Sequence, residues 1–267
     1  ATFEAQAIAA RSFAVCERAF WLARRHYDVV AGPSSQAWSG GVASPRARAA
    51  VQATIGHVLM WNRRVVPAYY SAACGGIPAS ATDAIGLNPA NAIGPLTVTS
   101  PSQKRTAPCC EGSPYQSWTR SFNRDDVVAA LKAAGKRKGP KALTSITGIE
   151  SIDVHTRNPA GRPVDFTLRV AGGQTIAIGA EALRRALNYG RANDRLRSSF
   201  VTYDASPSIM SGSGHGFGHG VGLCQYGAMA MGQAGRSMRA ILERYYPGAS
   251  IEQGWETSRT VGQYVGV

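Results

Sequence analysis

The chain has 267 residues, of which 44% are hydrophobic and 17% are charged. This composition is typical of a globular protein, and it excludes intrinsic disorder, collagen-like repeats and a long coiled coil. Lys and Arg number 29 against 16 Asp and Glu, so the net charge is +13. A basic surface of this kind favours polyanions, whether nucleic acid, acidic wall polymers or anionic lipid headgroups.

Hydrophobic periodicity predicts an α+β fold, with helices towards both ends of the chain and antiparallel strands in the middle. No apolar run reaches the roughly 20 residues that cross a bilayer, so we expect no transmembrane segment. The predicted elements, in chain order, are helices over 1–25 and 46–57, a hairpin turning at Asn62-Arg63, a helix over 124–135, a meander over 143–178, a helix over 180–187, a strand over 198–204, a glycine-rich loop over 211–222, and helices over 223–234 and 236–246.

The pattern of these elements suggests one domain over residues 1–267 with two lobes. We expect a core lobe of about 1–122 together with 191–267, and a smaller inserted α/β lobe of about 123–190.

The five cysteines are an odd number, which excludes a fully paired disulfide framework. Cys16 and Cys224 lie in apolar helical contexts and are predicted to be buried small hydrophobes. Cys74 and the adjacent Cys109 and Cys110 lie in predicted loops. A disulfide from Cys74 to Cys109 or Cys110 is expected in an oxidising compartment. The same three cysteines are a weak alternative zinc set, because the chain offers no CxxC and no histidine nearby.

The segment GHGFGHGVGLCQYGA is the most informative in the chain. Six glycines alternate with other residues between 212 and 222, a content that no stable helix tolerates. His215 and His219 therefore do not form the helical zinc pair of a metalloprotease. Glycine instead permits tight turns and close approach of backbone to a ligand, so two imidazoles and several N–H groups would bind polar or anionic groups. The alternative is a structural turn whose histidines bind local carbonyls.

Two further segments carry polar side chains in apolar surroundings. Arg11 lies within AQAIAARSFA, where a guanidinium needs a carboxylate or carbonyl partner, and a structural role is the simpler explanation. Ser71 lies in AYYSAACGG, where a strand runs into a Gly-Gly turn. A nucleophile elbow is disfavoured there because the GxSxG pattern is missing.

Taken together, AQAIAARSFA, AYYSAACGG and GHGFGHGVGLCQYGA with the later YYPGASI resemble the stage II sporulation protein D (SpoIID/LytB) family. The resemblance keeps the family's order and spacing and extends over essentially the whole chain. It implies a protein that acts on peptidoglycan. Family members cut the glycan strand as lytic transglycosylases, with a preference for strands stripped of stem peptides, or enhance wall amidases.

A lytic transglycosylase needs one carboxylic acid to protonate the glycosidic oxygen. The C6 hydroxyl of the muramyl residue then closes a 1,6-anhydro ring, so the reaction needs no cofactor. By resemblance, the substrate-binding residues are Arg11, Ser71, His215, His219, Gln225 and Tyr226. The family's acidic residue aligns at or before Ala1, which leaves Glu4 as the nearest carboxylate and the candidate catalytic residue.

The resemblance therefore predicts two functions. The first is binding and cleavage of denuded glycan strands, and the alternative is a non-catalytic glycan-binding or amidase-enhancing module. The expected partners are glycan strands and a wall amidase or another envelope protein, in an extracytoplasmic or secreted location. No recognised motif supports the third possibility, a nucleic-acid-binding protein.

Overall fold

A computed structural model describes residues 1–22, 24–32, 35–36, 40–41, 44–104, 110, 112–137 and 139–253. The fold is α+β, as the sequence predicts. Its helices are α1 (Thr2–Trp21), α2 (Pro45–Ala53), α3 (Ala81–Ala84), α4 (Arg124–Arg137), α5 (Ala180–Asn188), α6 (Gln225–Gln233) and α7 (Met238–Tyr245). Short 3-10 helices span Gly94–Leu96, Pro101–Gln103 and Lys141–Thr144. Across the described residues, none of the helices combines the length and apolar character needed to span a bilayer.

The strands are β1 (His57–Trp61), β2 (Arg64–Val65), β3 (Tyr70–Ser71), β4 (Trp118–Asn123), β5 (Ile149–Arg157), β6 (Pro163–Val170), β7 (Thr175–Gly179), β8 (Val201–Ala205), β9 (Ile209–Gly214), β10 (Leu223–Cys224) and β11 (Ser250–Gln253). The predicted turn between β1 and β2 is confirmed. Asn62 and Arg63 both have positive φ, at 47° and 63°, as a two-residue hairpin turn requires.

The chain divides into two compact units. Unit 1 comprises Ala1–Tyr70, Asn88–Thr97 and Gly222–Val267, and unit 2 comprises Ser71–Leu87 and Val98–Val221. The lobe limits expected from the sequence stay a prediction.

Unit 1 is built around the long first helix. Helix α1 packs on α2, α6, α7 and strand β1, which lies between β11 and β2 in an antiparallel sheet. The helix buries residues at three- and four-residue steps, including Ala9, Phe13 and Cys16, as an amphipathic helix must. Cys16 and Cys224 are both buried, as predicted. Burial, reinforced by the charge of Glu17, raises the pKa of the Cys16 thiol to about 12.

One serine joins helix α1 to the sheet of unit 1. Ser12 is fully buried, and its hydroxyl donates to the carbonyl of Ile8 at 2.7 Å. The same oxygen accepts from the backbone N–H of Leu59 in β1 at 2.8 Å. A side chain that serves both as donor and as acceptor fixes the helix against the strand at this point.

Unit 2 contains two three-stranded antiparallel sheets, with strand orders β4-β9-β8 and β5-β6-β7. A single apolar cluster joins both sheets to α4 and α5, and its members include Phe122, Leu131, Phe166, Leu183 and Met210. Met210 lies in β9, so this cluster positions the segment that follows that strand.

The expectation of a continuous loop over 211–222 is wrong in its first part, because residues 209–214 form strand β9. This strand pairs with β4 on one side and β8 on the other. Its glycines are needed for packing: a Cβ on Gly214 would lie 2.3 Å from the ring of Trp118. Strand β4, which carries Trp118, was also not predicted.

We expect Ser12→Ala to lower the free energy of unfolding by about 1–3 kcal/mol, because it leaves the buried N–H of Leu59 without its acceptor. Urea denaturation followed by fluorescence measures the change. Ser145→Ala, at an exposed serine, is the control and is expected to cost no more than about 0.5 kcal/mol. Equal losses in the two variants would contradict a linking role for Ser12.

Candidate functional site

The segment after β9 runs as a close pair with the segment that follows Ser71. Ala73 and Phe217 exchange two backbone hydrogen bonds, with N···O distances of 3.1 and 2.7 Å. Gly216 lies against the same backbone, since a Cβ there would be 2.6 Å from the carbonyl oxygen of Ala73 and 2.8 Å from the nitrogen of Gly75. The two segments therefore meet with no side chain between their backbones. We call residues 215–221 the histidine loop.

His215 lies at the start of the histidine loop and is exposed. Its Nδ1 is 2.9 Å from the carbonyl oxygen of Gln116, so Nδ1 must carry the proton that is donated. The neutral ring then presents the lone pair of Nε2. The backbone of His215 is fixed separately, because Ser198 Oγ donates to its carbonyl at 2.5 Å.

His219, at the other end of the histidine loop, has the opposite tautomer. Its Nδ1 accepts from the backbone N–H of Val221 at 3.0 Å, so the proton of the neutral ring lies on Nε2. Four residues apart, the loop thus holds one imidazole with an acceptor at Nε2 and one with an N–H at Nε2. The structural alternative expected both histidines to bind local carbonyls. His215 binds a carbonyl, but from a distant segment, and His219 accepts from a local N–H.

An aromatic group lies between the two histidines. The ring of Phe217 is 40% exposed and contacts the ring of Tyr115 edge-on, with centroids 4.8 Å apart. The guanidinium of Arg197 lies 4.8 Å from the centre of the Tyr115 ring and 5.8 Å from that of Phe217. None of these three residues was predicted from the sequence. The signal in the sequence was the single large apolar residue within the run of glycines.

A buried arginine packs against both the histidine loop and the turn beside it. Arg162 is 2% exposed, and its Nη1 donates to the carbonyls of Cys74 and Ile77, each at 3.0 Å. A Cβ on Gly220 would lie 2.7 Å from the same nitrogen. Arg162 therefore holds the 74–77 turn and fixes how closely the histidine loop approaches it.

Ser71 also lies beneath the histidine loop. It is buried, and its hydroxyl has no hydrogen-bond partner among the described residues. A Cβ on Gly218 would be 2.7 Å from the Cβ of Ser71. Among the predicted site residues, unit 2 thus brings Ser71, His215 and His219 together.

The other predicted residues belong to unit 1. Gln225 begins α6, and its amide donates to the side-chain oxygen of Gln6 on α1 at 3.3 Å. Nearby, Thr2 Oγ1 donates to the carbonyl of Ala228 in α6 at 3.1 Å. Tyr226 follows Gln225 and is half-buried.

Glu4 points to a different side of α1. At about 100° per residue it lies about 160° around the helix from both Thr2 and Gln6, which face α6. Its side chain is 36% exposed. Arg11 shares the side of Glu4, two turns along, and its guanidinium donates to the carbonyls of Thr54 and His57 at 2.6 and 2.8 Å. These bonds fasten the turn between α2 and β1, and burial lowers the pKa of Arg11.

The predicted cysteine partners are close in space. The Sγ atoms of Cys74 and Cys110 are 3.6 Å apart, and both residues are buried thiols. That distance is contact between thiols, since an S–S bond is about 2.05 Å long. Cys109 lies outside the described residues. Both the disulfide and the zinc alternative stay predictions.

Comparison with known proteins gives two family matches. Residues 1–61 match the family described as "Stage II sporulation protein", and residues 109–222 match one described as a domain of unknown function (DUF8618). The second match contains the aromatic group and most of unit 2.

Three curated relatives are similar to the chain. An "Amidase enhancer" of Bacillus subtilis (strain 168) is 24% identical over 270 residues, covering 93% of this chain and 37% of that protein. A "Stage II sporulation protein D" of Bacillus amyloliquefaciens is 38% identical over 58 residues, covering 22% of this chain and 17% of that protein. An uncharacterised protein of Brachyspira hyodysenteriae (strain ATCC 49526 / WA1) is 25% identical, covering 93% of this chain and 60% of the relative. The chain thus spans less than two thirds of each relative.

We expect Gly216→Ala to destabilise unit 2 far more than Gly173→Ala. Both glycines have φ of +78°, so both variants incur the cost of about 1–2 kcal/mol for a left-handed alanine. Only at Gly216 would the new methyl also meet backbone atoms, because nothing lies within 4 Å at Gly173. Thermal unfolding of the two variants measures the difference, and equal melting temperatures would show that the close approach is unimportant.

Proposed function

We infer that this chain belongs to the SpoIID family, to which the match of residues 1–61 and two curated relatives point. We propose that it acts on the bacterial cell wall, in an extracytoplasmic location. We propose more specifically that the histidine loop of unit 2 binds the glycan strand of peptidoglycan. The observation that carries the proposal is the exposed ring of Phe217 between two imidazoles whose Nε2 atoms have opposite hydrogen-bonding character.

This arrangement suits a sugar. Carbohydrates present apolar C–H faces, which stack on aromatic rings, and hydroxyl groups, which both donate and accept hydrogen bonds. Phe217 offers the ring, and its contact with Tyr115 limits its motion. A hydroxyl could donate to Nε2 of His215. Ligand sites commonly combine one apolar surface with a few fixed polar groups in this way.

The arginines of unit 2 support the same proposal. Arg197 lies beside both aromatic rings and keeps its guanidinium next to the surface where a sugar would stack. An arginine there can donate to ring hydroxyls or to a carboxylate on the glycan. Arg162 acts indirectly, because its hydrogen bonds fix the turn on which the histidine loop lies.

We further propose that the bound strand is cleaved by lytic transglycosylation. An acid donates its proton to the glycosidic oxygen, and the bond from that oxygen to C1 of the muramyl residue breaks. The C6 hydroxyl of the same residue attacks C1 and gives its proton to the carboxylate that the acid has become, which closes the 1,6-anhydro ring and regenerates the acid. This reaction needs neither water as nucleophile nor a cofactor. Glu4 is our candidate for the acid, since its side chain is partly exposed and lies in the first turn of α1.

A second function is favoured by one comparison. The relative that is named as an amidase enhancer matches 93% of this chain. On this alternative the chain binds glycan without cutting it and increases the activity of a wall amidase. Histidine-loop binding is common to both proposals, and product analysis distinguishes them.

We expect Phe217→Ala to weaken binding to amidase-denuded glycan strands by about fivefold, since an aromatic stacking contact contributes about 1 kcal/mol and about 1.4 kcal/mol is a factor of ten. Co-sedimentation with denuded sacculi measures the affinity. Phe20→Ala is the matched control, because Phe20 is 41% exposed against 40% for Phe217. If the two variants lose affinity equally, the histidine loop is not the glycan site.

We expect Glu4→Gln to abolish the release of 1,6-anhydromuramyl ends from denuded glycan while leaving glycan binding unchanged. Mass spectrometry of the digest detects the anhydro ends. Glu17→Gln on the same helix is the control and should leave the product yield intact. An unchanged yield in Glu4→Gln would exclude Glu4 as the acid. A wild-type chain that binds glycan, gives no anhydro ends and accelerates an added amidase would support the second function.

A further inference from the structure

Unit 2 contains an open cavity of about 410 Å³ that is rich in arginine. The C-terminal half of α5 contributes Arg184 and Arg185, and the segment after the helix contributes Arg191 and Arg195. Among the described residues, none of those that line the cavity carries a carboxylate. We call it the arginine cavity, and it takes no part in the function proposed above.

A buried asparagine gives the cavity its shape. Asn188 at the end of α5 donates from its amide to the carbonyl of Leu196 at 2.9 Å and accepts from the N–H of Leu196 at 2.7 Å. The side chain of Asn188 thus holds the two ends of segment 188–196 together. This segment carries two of the four arginines. The ring of Tyr189 in that segment is covered by the guanidinium of Arg137, 3.1 Å from the ring centre.

The four arginines divide into two pairs. Arg184 bonds the buried carboxylate of Glu181 at 2.8 Å, and Arg191 lies 3.6 Å from a carboxylate oxygen of Asp126. In the part of the chain that the structure describes, Arg185 and Arg195 have no ion-pair partner, and both are exposed. Asp194 is next to Arg195 in the sequence but does not line the cavity. Two uncompensated positive charges therefore remain in the cavity.

We propose that the arginine cavity binds a phosphodiester polymer of the cell wall. A guanidinium presents a flat fork of N–H donors that matches the paired oxygens of a phosphate. A carboxylate offers both oxygens in one direction and is satisfied by one fork. A tetrahedral phosphate can be held by two forks from different directions, and Arg185 and Arg195 come from different segments. The choice of a wall polymer rests on the proposed function, whereas the recognition of phosphate rests on the cavity alone.

A purely structural role makes a different prediction for these arginines. Arg185 lies in the last turn of α5, where a positive charge interacts favourably with the helix dipole and stabilises the helix. A role of this kind would make the arginine substitutions destabilising and leave the affinity for polyanions unchanged. Binding and stability therefore need to be measured on the same variants.

The test compares two double variants of the full chain with equal charge. Arg185→Gln/Arg195→Gln removes the uncompensated pair, and Arg169→Gln/Arg239→Gln removes two exposed arginines elsewhere. The probe is a fluorescein-labelled poly(glycerol phosphate) oligomer, followed by fluorescence anisotropy at several salt concentrations. We expect the first variant to bind at least tenfold more weakly, with a slope of log affinity against log salt that is smaller by about two. The control should lose less than twofold, and both should melt close to the unsubstituted chain.

Four results would overturn the proposal. Equal weakening in both variants would show a general effect of net charge, and lower stability with unchanged affinity would show a structural role. Tighter binding to single-stranded DNA of equal phosphate number would indicate a nucleic-acid site, and equal binding to poly-glutamate would indicate a carboxylate site. Denuded glycan, which has no phosphodiesters, should bind Arg185→Gln/Arg195→Gln normally. Glycan binding therefore tests the histidine-loop proposal, and poly(glycerol phosphate) binding tests the arginine-cavity proposal, so that the failure of one can be distinguished from the failure of the other.

Discussion

The contact between the backbones of residues 73–75 and 216–218 is the constraint on which the rest of the unit 2 site depends. A protein backbone approaches another this closely only where no Cβ intervenes. Ala73 and Phe217 are joined by hydrogen bonds in both directions. These bonds fix the backbone from which the imidazoles of His215 and His219 extend. The positions of both imidazoles, the exposure of Phe217 and the burial of Ser71 all follow from that approach.

The secondary structure of periodic segments could be predicted from the sequence. For glycine-rich segments the sequence showed the position but not the conformation. Helix α1 was recognisable because its apolar residues recur at helical spacing, and the hairpin at Asn62-Arg63 because two β-rich runs flank it. Strand β9 was not recognisable, because a Gly-Ser repeat carries no hydrophobic alternation. Gly214 leaves the space that the ring of Trp118 occupies, and Trp118 lies almost a hundred residues away in the sequence. Packing across that separation leaves no local signal.

The candidate site shows the same division. His215 and His219 stand out by residue type and spacing, and both lie in the histidine loop. The aromatic group was missed because Tyr115, Arg197 and Phe217 come from three separate segments. Arg162 was missed as well, since a lone arginine after a Pro-Ala-Gly turn resembles any surface residue. Its burial depends on the carbonyls of Cys74 and Ile77, which only the folded chain places beside it.

The opposite tautomers of the two histidines make them unequal partners for a ligand. His215 donates from Nδ1, so its Nε2 carries the lone pair. His219 accepts at Nδ1 from the N–H of Val221, so its Nε2 carries the N–H. A group that only donates would suit the first histidine, and a group that only accepts would suit the second. The loop therefore has a polarity along its length, which would orient a molecule whose two ends differ in hydrogen-bonding character.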